Sequence, residues 1–210
     1  MGDSEQTPDK RFTYADYCSW PEDERWELIE GVAYNMSPAP AKPHADISRE
    51  LLLVFGNFFQ GKSCEVYCAP FDVRLPETDE ADEEIETVVQ PDILVVCDEK
   101  KLDNKGCRGA PDLVIEILSP STASKDCIKK RALYERHGVR EYWTVDPTNR
   151  MVTVYSLQKN GRFDAIVMYG DEDNIAMDLF PNLEIDLKTI FPQQTKVVKQ
   201  SPRTYASPSR

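Results

Sequence analysis

The octapeptide PDLVIEIL (111–118) constrains this chain most: five aliphatic residues run almost unbroken, and one carboxylate, Glu116, interrupts them. A strand so nearly continuous in aliphatics is covered on both faces. Alternation puts Val114, Glu116 and Leu118 on one face and Leu113, Ile115 and Ile117 on the other. An ionised Glu116 on a buried face costs several kcal/mol unless something pairs with it. The partner has to come from elsewhere in the fold.

A second apolar strand, TVVQPDILVVCD (87–98), carries Asp92 directly after Pro91. If the two strands pair, Asp92 and Glu116 approach each other at the sheet edge. Like charges held close do not both ionise cheaply. A divalent cation removes that penalty, and the Ile117 carbonyl can add a third oxygen. A hydrolytic site also needs a positive charge near the attacking water and the developing phosphate charge. Residues 124–137 predict a helix ending at Gly138, where Asp126, Lys130 and Tyr134 share a face at i, i+4 and i+8. Folded back over the strand, that helix brings Lys130 to Glu116, while Lys129 and Arg131 point to solvent. Structural readings compete at each position. Asp92 can simply bind a backbone N–H, Glu116 can pair with an arginine, and Lys130 taken alone is surface charge.

The rest of the chain reads as one α/β domain over 12–192, between loose polar tails at 1–11 and 193–210. A short helix (13–20) precedes a hairpin, RWELIEGVAYNM, turning at Glu30-Gly31. An amphipathic helix (44–61) follows, with Ile47, Leu51, Val54, Phe55 and Phe58 at helical spacing. CEVYCAPFDVRL (64–75) alternates as a strand, VREYWTVD and RMVTVYSL form a hairpin about residues 147–149, and strands over 163–168 and 175–185 close the domain. The expected architecture is a mixed central sheet flanked by helices.

The formal net charge of −12 argues against a general nucleic-acid coat protein, but it is unevenly spread. ETDEADEEIE (77–86) holds seven acids and no base and reads as a solvated loop, whereas 122–150 holds seven Lys/Arg against four Asp/Glu. The six cysteines make no metal or redox pattern, and Cys97 reads as a buried thiol ending a strand. No apolar stretch is long enough for a bilayer and no secretory signal is visible, so the expected location is cytoplasmic, with no membrane partner.

ELIEG (27–31), SPAPAKPH (37–44), QPDILVV (90–96), APDLVIEILSPSTASKD (110–126) and YERHGVREYWTVDP (134–147) together resemble the Uma family of putative restriction endonucleases, within the PD-(D/E)XK nuclease-like fold. The resemblance implies a restriction-endonuclease-like core with Asp92 and Glu116 as the acidic pair. It implies Lys130 as a migrated lysine, because Leu118 fills the fold's usual lysine position. It also marks Glu27, with Glu30 as the competing choice, as a further acid completing the metal shell. His44 would bind phosphate or assist proton transfer. The activity implied is Mg2+- or Mn2+-dependent cleavage of DNA, by a homodimer if both strands are to be cut. The alternatives are a silent nuclease-fold binding module and a small-nucleotide phosphohydrolase.

Overall fold

The structure, a computed structural model, describes residues 10–191 apart from 22, 37, 38, 121 and 122. The expected tails, 1–11 and 193–210, lie outside the described residues save for Lys10 and Arg11. Parts of SPAPAKPH and of the SPST turn also fall outside them.

Turn chemistry and proline positions cut the chain into short strands. After α1 (Tyr14–Tyr17), β1 (Trp26–Ile29) and β2 (Val32–Asn35) form the expected hairpin. Its turn has positive φ at both Glu30 (51°) and Gly31 (75°), which matches the twist of the flanking strands. Helix α2 (Lys42–Phe59) buries Ile47, Leu51, Phe55 and Phe59 along one stripe. CEVYCAPFDVRL is two strands rather than one, β3 (Glu65–Cys68) and β4 (Val73–Arg74). TVVQPDILVVCD divides likewise into β5 (Val88–Val89) and β6 (Ile93–Val96). Pro70 and Pro91 sit at the two breaks, and neither has an N–H to give a ladder.

An unanticipated hairpin follows, β7 (Leu102–Asp103) with β8 (Gly106–Arg108), and then β9 (Leu113–Ile117). The helix expected over 124–137 starts as a π-helical segment, Lys125–Lys130, and continues as α3 (Arg131–His137) to a left-handed Gly138. Strands β10 (Glu141–Asp146) and β11 (Met151–Ser156) pair as expected, and β12 (Ala165–Gly170) joins them. The single strand expected over 175–185 is instead a hairpin, β13 (Asn174–Ala176) with β14 (Glu184–Asp186), closed by α4 (Leu187–Ile190).

The one mixed sheet expected is two six-stranded sheets, β2-β1-β5-β4-β8-β7 and β12-β11-β10-β9-β6-β3, with a separate two-stranded ribbon. The breaks at Pro70 and Pro91 let each of those segments serve both sheets. In the second sheet β9 is central and covered on both faces. Leu113, Ile115 and Ile117 pack with α2 and Trp143, whereas Val114 packs with Leu133, Tyr134 and Tyr142. Each fully buried aliphatic there contributes about 1.5–3 kcal/mol. β6 pairs antiparallel with β9, Ile93 opposite Ile115 and Leu94 opposite Val114, so the next step outward sets Asp92 beside Glu116.

Two further expectations change, one for the cysteines and one for the acidic loop. Cys64 and Cys97 flank the β3–β6 ladder and form a disulfide, a pairing that depends on a register invisible in sequence spacing. The acidic loop is also less solvated than its composition implies. Asp82 accepts from Arg74 and Arg108, Ile85 is buried, and the loop is strapped to the first sheet. Gly106, at φ 118°, lies where an added Cβ would sit 2.2 Å from the Asp72 carbonyl oxygen. Gly106→Ala is therefore expected to destabilise by about 1–3 kcal/mol, read as a lower urea midpoint. No helix among the described residues is long and apolar enough to cross a membrane.

Candidate active site

Five segments converge at the Asp92 end of the β6–β9 pair. Asp92 Oδ2 accepts the Ile117 N–H at 2.7 Å and lies 3.2 Å from His44 Nε2, near the start of α2. Glu116 Oε1 accepts from Lys130 Nζ and from the Tyr134 hydroxyl, each at 2.9 Å. Lys130 Nζ is also 2.6 Å from Glu27 Oε1 on β1 and 3.7 Å from Asp126 Oδ1. The second oxygen of Glu27 accepts from Lys125 Nζ at 2.6 Å. Asp92, Glu116, Ile117, Lys130, His44 and Glu27 all line one cavity of about 860 Å³.

The π-helical winding explains how two lysines reach one carboxylate. Its i→i+5 turn brings Lys125 and Lys130 onto nearly the same side. At α-helical spacing, five residues would separate them by about 140°. π-helical turns are frequent at functional sites. Tyr142 ties the segment to β10 by donating to the Asp126 carbonyl at 3.0 Å.

Burial pushes the Glu116 carboxyl up to about 8; Lys130 opposes the rise, while Asp126, Asp92 and Glu27 add to it. Burial alone would lower Lys130, but the carboxylates of Glu116, Glu27 and Asp126 hold its ammonium well above the usual lysine range. Glu27 moves the other way: burial would raise it, and Lys130 and Lys125 together outweigh that and lower it. Glu27–Lys130 is thus the firm ion pair, and Glu116 is the carboxyl that takes up a proton first. His44 is raised, because its contact with Asp92 overcomes the effect of burial.

A divalent cation fits the remaining donors. Asp92 Oδ1 and Glu116 Oε2 meet no protein donor among the described residues, although both side chains border the cavity. Among the described residues no three His, Cys, Asp or Glu side chains group closely enough to hold a metal by themselves. Two carboxylates with a backbone carbonyl suit Mg2+, which usually keeps several of its waters. A cation there would also offset the carboxylate repulsion that adds to the burial-driven rise at Glu116.

The expectation for Glu27 as a third metal acid needs correction. Its side chain is fully buried and both oxygens face ammonium groups, so it anchors Lys125 and Lys130 instead. Glu30, the competing choice, sits half-exposed at the hairpin turn, paired with Arg136. Asp92 does bind a backbone N–H, but through one oxygen, and the partner of Glu116 is a lysine rather than an arginine. Lys129 meets the Tyr34 hydroxyl, and Arg131 lies over the Tyr155 ring, away from the site. None of residues 77–86 lines the cavity. Sequence reasoning missed Lys125 and gave the Tyr134 hydroxyl no role. The helical face shared with Lys130 was the available signal for Tyr134; Lys125 had none.

Residues 14–188 match the Uma2 family, whose description is "Putative restriction endonuclease". An uncharacterized protein of Synechocystis sp. is 27% identical over 177 residues, spanning 83% of this chain and 88% of its own. The crystal structure of a protein from Anabaena variabilis, described as a putative nuclease belonging to DUF820, is similar with a TM-score of 0.67. That likeness covers 86% of this chain and 97% of the other at 22% identity, which establishes the shared fold.

Proposed function

The chain belongs to the Uma2 family of putative restriction endonucleases, and from that premise we propose that it is a divalent-metal-dependent endonuclease hydrolysing DNA phosphodiester bonds. The observation that carries the reading is the buried Lys130 ammonium, held against Glu116 within the cavity that Asp92 also lines. Asp92, Glu116 and the Ile117 carbonyl would hold Mg2+ or Mn2+. When bound, such an ion lowers the pKa of water and neutralises phosphate charge. Lys130, fixed by Glu27, orients the attacking water or meets the charge developing on the phosphate oxygens. Tyr134 pins one oxygen of Glu116 and leaves the other for the cation. His44, backed by Asp92, binds a phosphate or moves a proton to the leaving oxygen. Cutting both strands of a duplex calls for two sites, which a two-fold homodimer supplies. The compartment proposed is the cytoplasm, where the Cys64–Cys97 pair would be kept reduced.

The test is cleavage of supercoiled plasmid and of single-stranded DNA with Mg2+, Mn2+ or EDTA. Wild type should cut only with metal. Asp92→Asn and Glu116→Gln should not cut, although Asp92→Asn keeps an acceptor for the Ile117 N–H. Equal cutting by all three proteins would assign the activity to a contaminant and end the reading. A second reading, hydrolysis of small nucleotides, is favoured by the size of the cavity and the net charge of −12. Phosphate release from mononucleotides, without DNA cutting, would select it.

A further inference from the structure

Arg25 differs from the other cations that line the cavity. Lys125 and Lys130 are engaged by Glu27 and Glu116, and Arg49 by Glu50 and Asp46. Arg25 is exposed, lines the same cavity and makes no ion pair among the described residues. Its Nη2 donates instead to the side-chain oxygen of Gln90 at 2.7 Å.

Gln90 cannot turn its amide round. Its Nε2 donates to Asp72 Oδ1 at 2.9 Å and to the Tyr17 hydroxyl at 3.0 Å. The Tyr17 hydroxyl itself donates to Asp72 Oδ1 at 2.9 Å. A carboxylate only accepts, so Asp72 fixes the nitrogen end of the amide and leaves the oxygen for Arg25. The backbone N–H of Gln90 donates to Glu27 Oε1 at 3.2 Å, which ties the same residue to the anchor of Lys130. A neutral carbonyl thus orients a guanidinium without cancelling its charge. In a chain so rich in carboxylates, that arrangement is suited to an anion arriving from outside, and the arginine fork matches a phosphate's paired oxygens.

We propose that Arg25, aimed by the Gln90–Asp72–Tyr17 chain, seats a backbone phosphate of the nucleic acid in this cavity. The inference rests on the nuclease reading and deepens it. Arg25 lies two residues before Glu27, and Gln90 two before Asp92, so the segments that position the acids also position the phosphate.

The experiment is anisotropy of labelled duplex and single-stranded oligonucleotides, with Ca2+ replacing Mg2+ to suppress cutting, between about 50 and 200 mM salt. Wild type, Arg25→Gln and Arg25→Lys are compared, with Mn2+ calorimetry, thermal melting and cleavage kinetics as controls. Arg25→Gln is expected to weaken binding about tenfold and to flatten the slope of log affinity against log salt by about 1. Its KM should rise with kcat little changed, while Mn2+ affinity and melting stay at wild-type values. Arg25→Lys should restore the salt slope and part of the affinity. Wild-type affinity and slope in Arg25→Gln, alongside a wild type that binds and cuts, would overturn this inference alone. Loss of Mn2+ uptake or early melting in Arg25→Gln would assign Arg25 a structural role and overturn it too. A wild type that neither binds nor cuts would remove this inference and the nuclease reading together.

Discussion

Lys130→Met is expected to lower the unfolding free energy by about 3–5 kcal/mol and to abolish cutting. The ammonium is 3% exposed, 2.6 Å from Glu27 and 2.9 Å from Glu116, with Asp126 at 3.7 Å. Removing it strands carboxylates that are almost wholly buried. Glu116 can escape part of the cost by taking a proton, since burial already pushes it up to about 8. Glu27 loses the larger of the two charges that hold its carboxyl low, against burial that would raise it, and only Lys125 and the Gln90 N–H remain to face it. Most of the loss therefore falls on Glu27. Adding Glu27→Gln to Lys130→Met should recover roughly half of the stability, a non-additivity expected of residues in one network. Urea unfolding at pH 7 measures both. Cutting separates the structural role from the catalytic one: the double variant should regain that part of its stability and remain inactive. A double variant that cuts as wild type does would reduce Lys130 to a prop for Glu27.

That hub shows how far the sequence reaches. Strand alternation alone placed Glu116 on a buried face, and α-helical spacing alone put Asp126, Lys130 and Tyr134 together; the structure brings all four side by side. Asp92 followed from its place at the start of an apolar strand. Lys125 did not follow, because α-helical spacing turns it away from Lys130, and a π-helical turn is not written in hydrophobic periodicity. Its partner Glu27 is 98 residues distant along the chain. Periodicity is likewise silent on which strands become neighbours. The Cys64–Cys97 disulfide and the division into two sheets both depend on pairing between distant segments. Gln90 and Arg25 carried no local signal either, since their meaning arises from an amide locked by Asp72 and Tyr17. The breaks at Pro70 and Pro91 were legible in principle, because proline cannot continue a central ladder.

Glu141→Gln is expected to stabilise the protein at alkaline pH and to leave it unchanged in acid. Glu141 opens β10, is 5% exposed, and accepts the Trp143 indole N–H at 2.7 Å. Burial pushes its carboxyl from 4.5 up to about 7; the indole contact and Arg140 pull the other way, and Asp178 adds to the rise. The folded chain therefore binds this proton more tightly than the unfolded chain does. Its contribution to stability is complete below about pH 4.5 and is lost as pH rises through about 7. Glutamine keeps an oxygen for Trp143 and never ionises. At pH 8 the variant should exceed wild type by about 2–3 kcal/mol, and the two should converge near pH 4.5. Urea unfolding of both proteins at several pH values reads the difference. Taking that difference cancels Glu116, which titrates in a neighbouring range in both proteins. A constant gap across pH would show that Glu141 titrates as it does in the unfolded chain. A gap opening between pH 5 and 8 would place a destabilising charge in the strand that lies beside β9, one residue before the tyrosine that holds the π-helical segment.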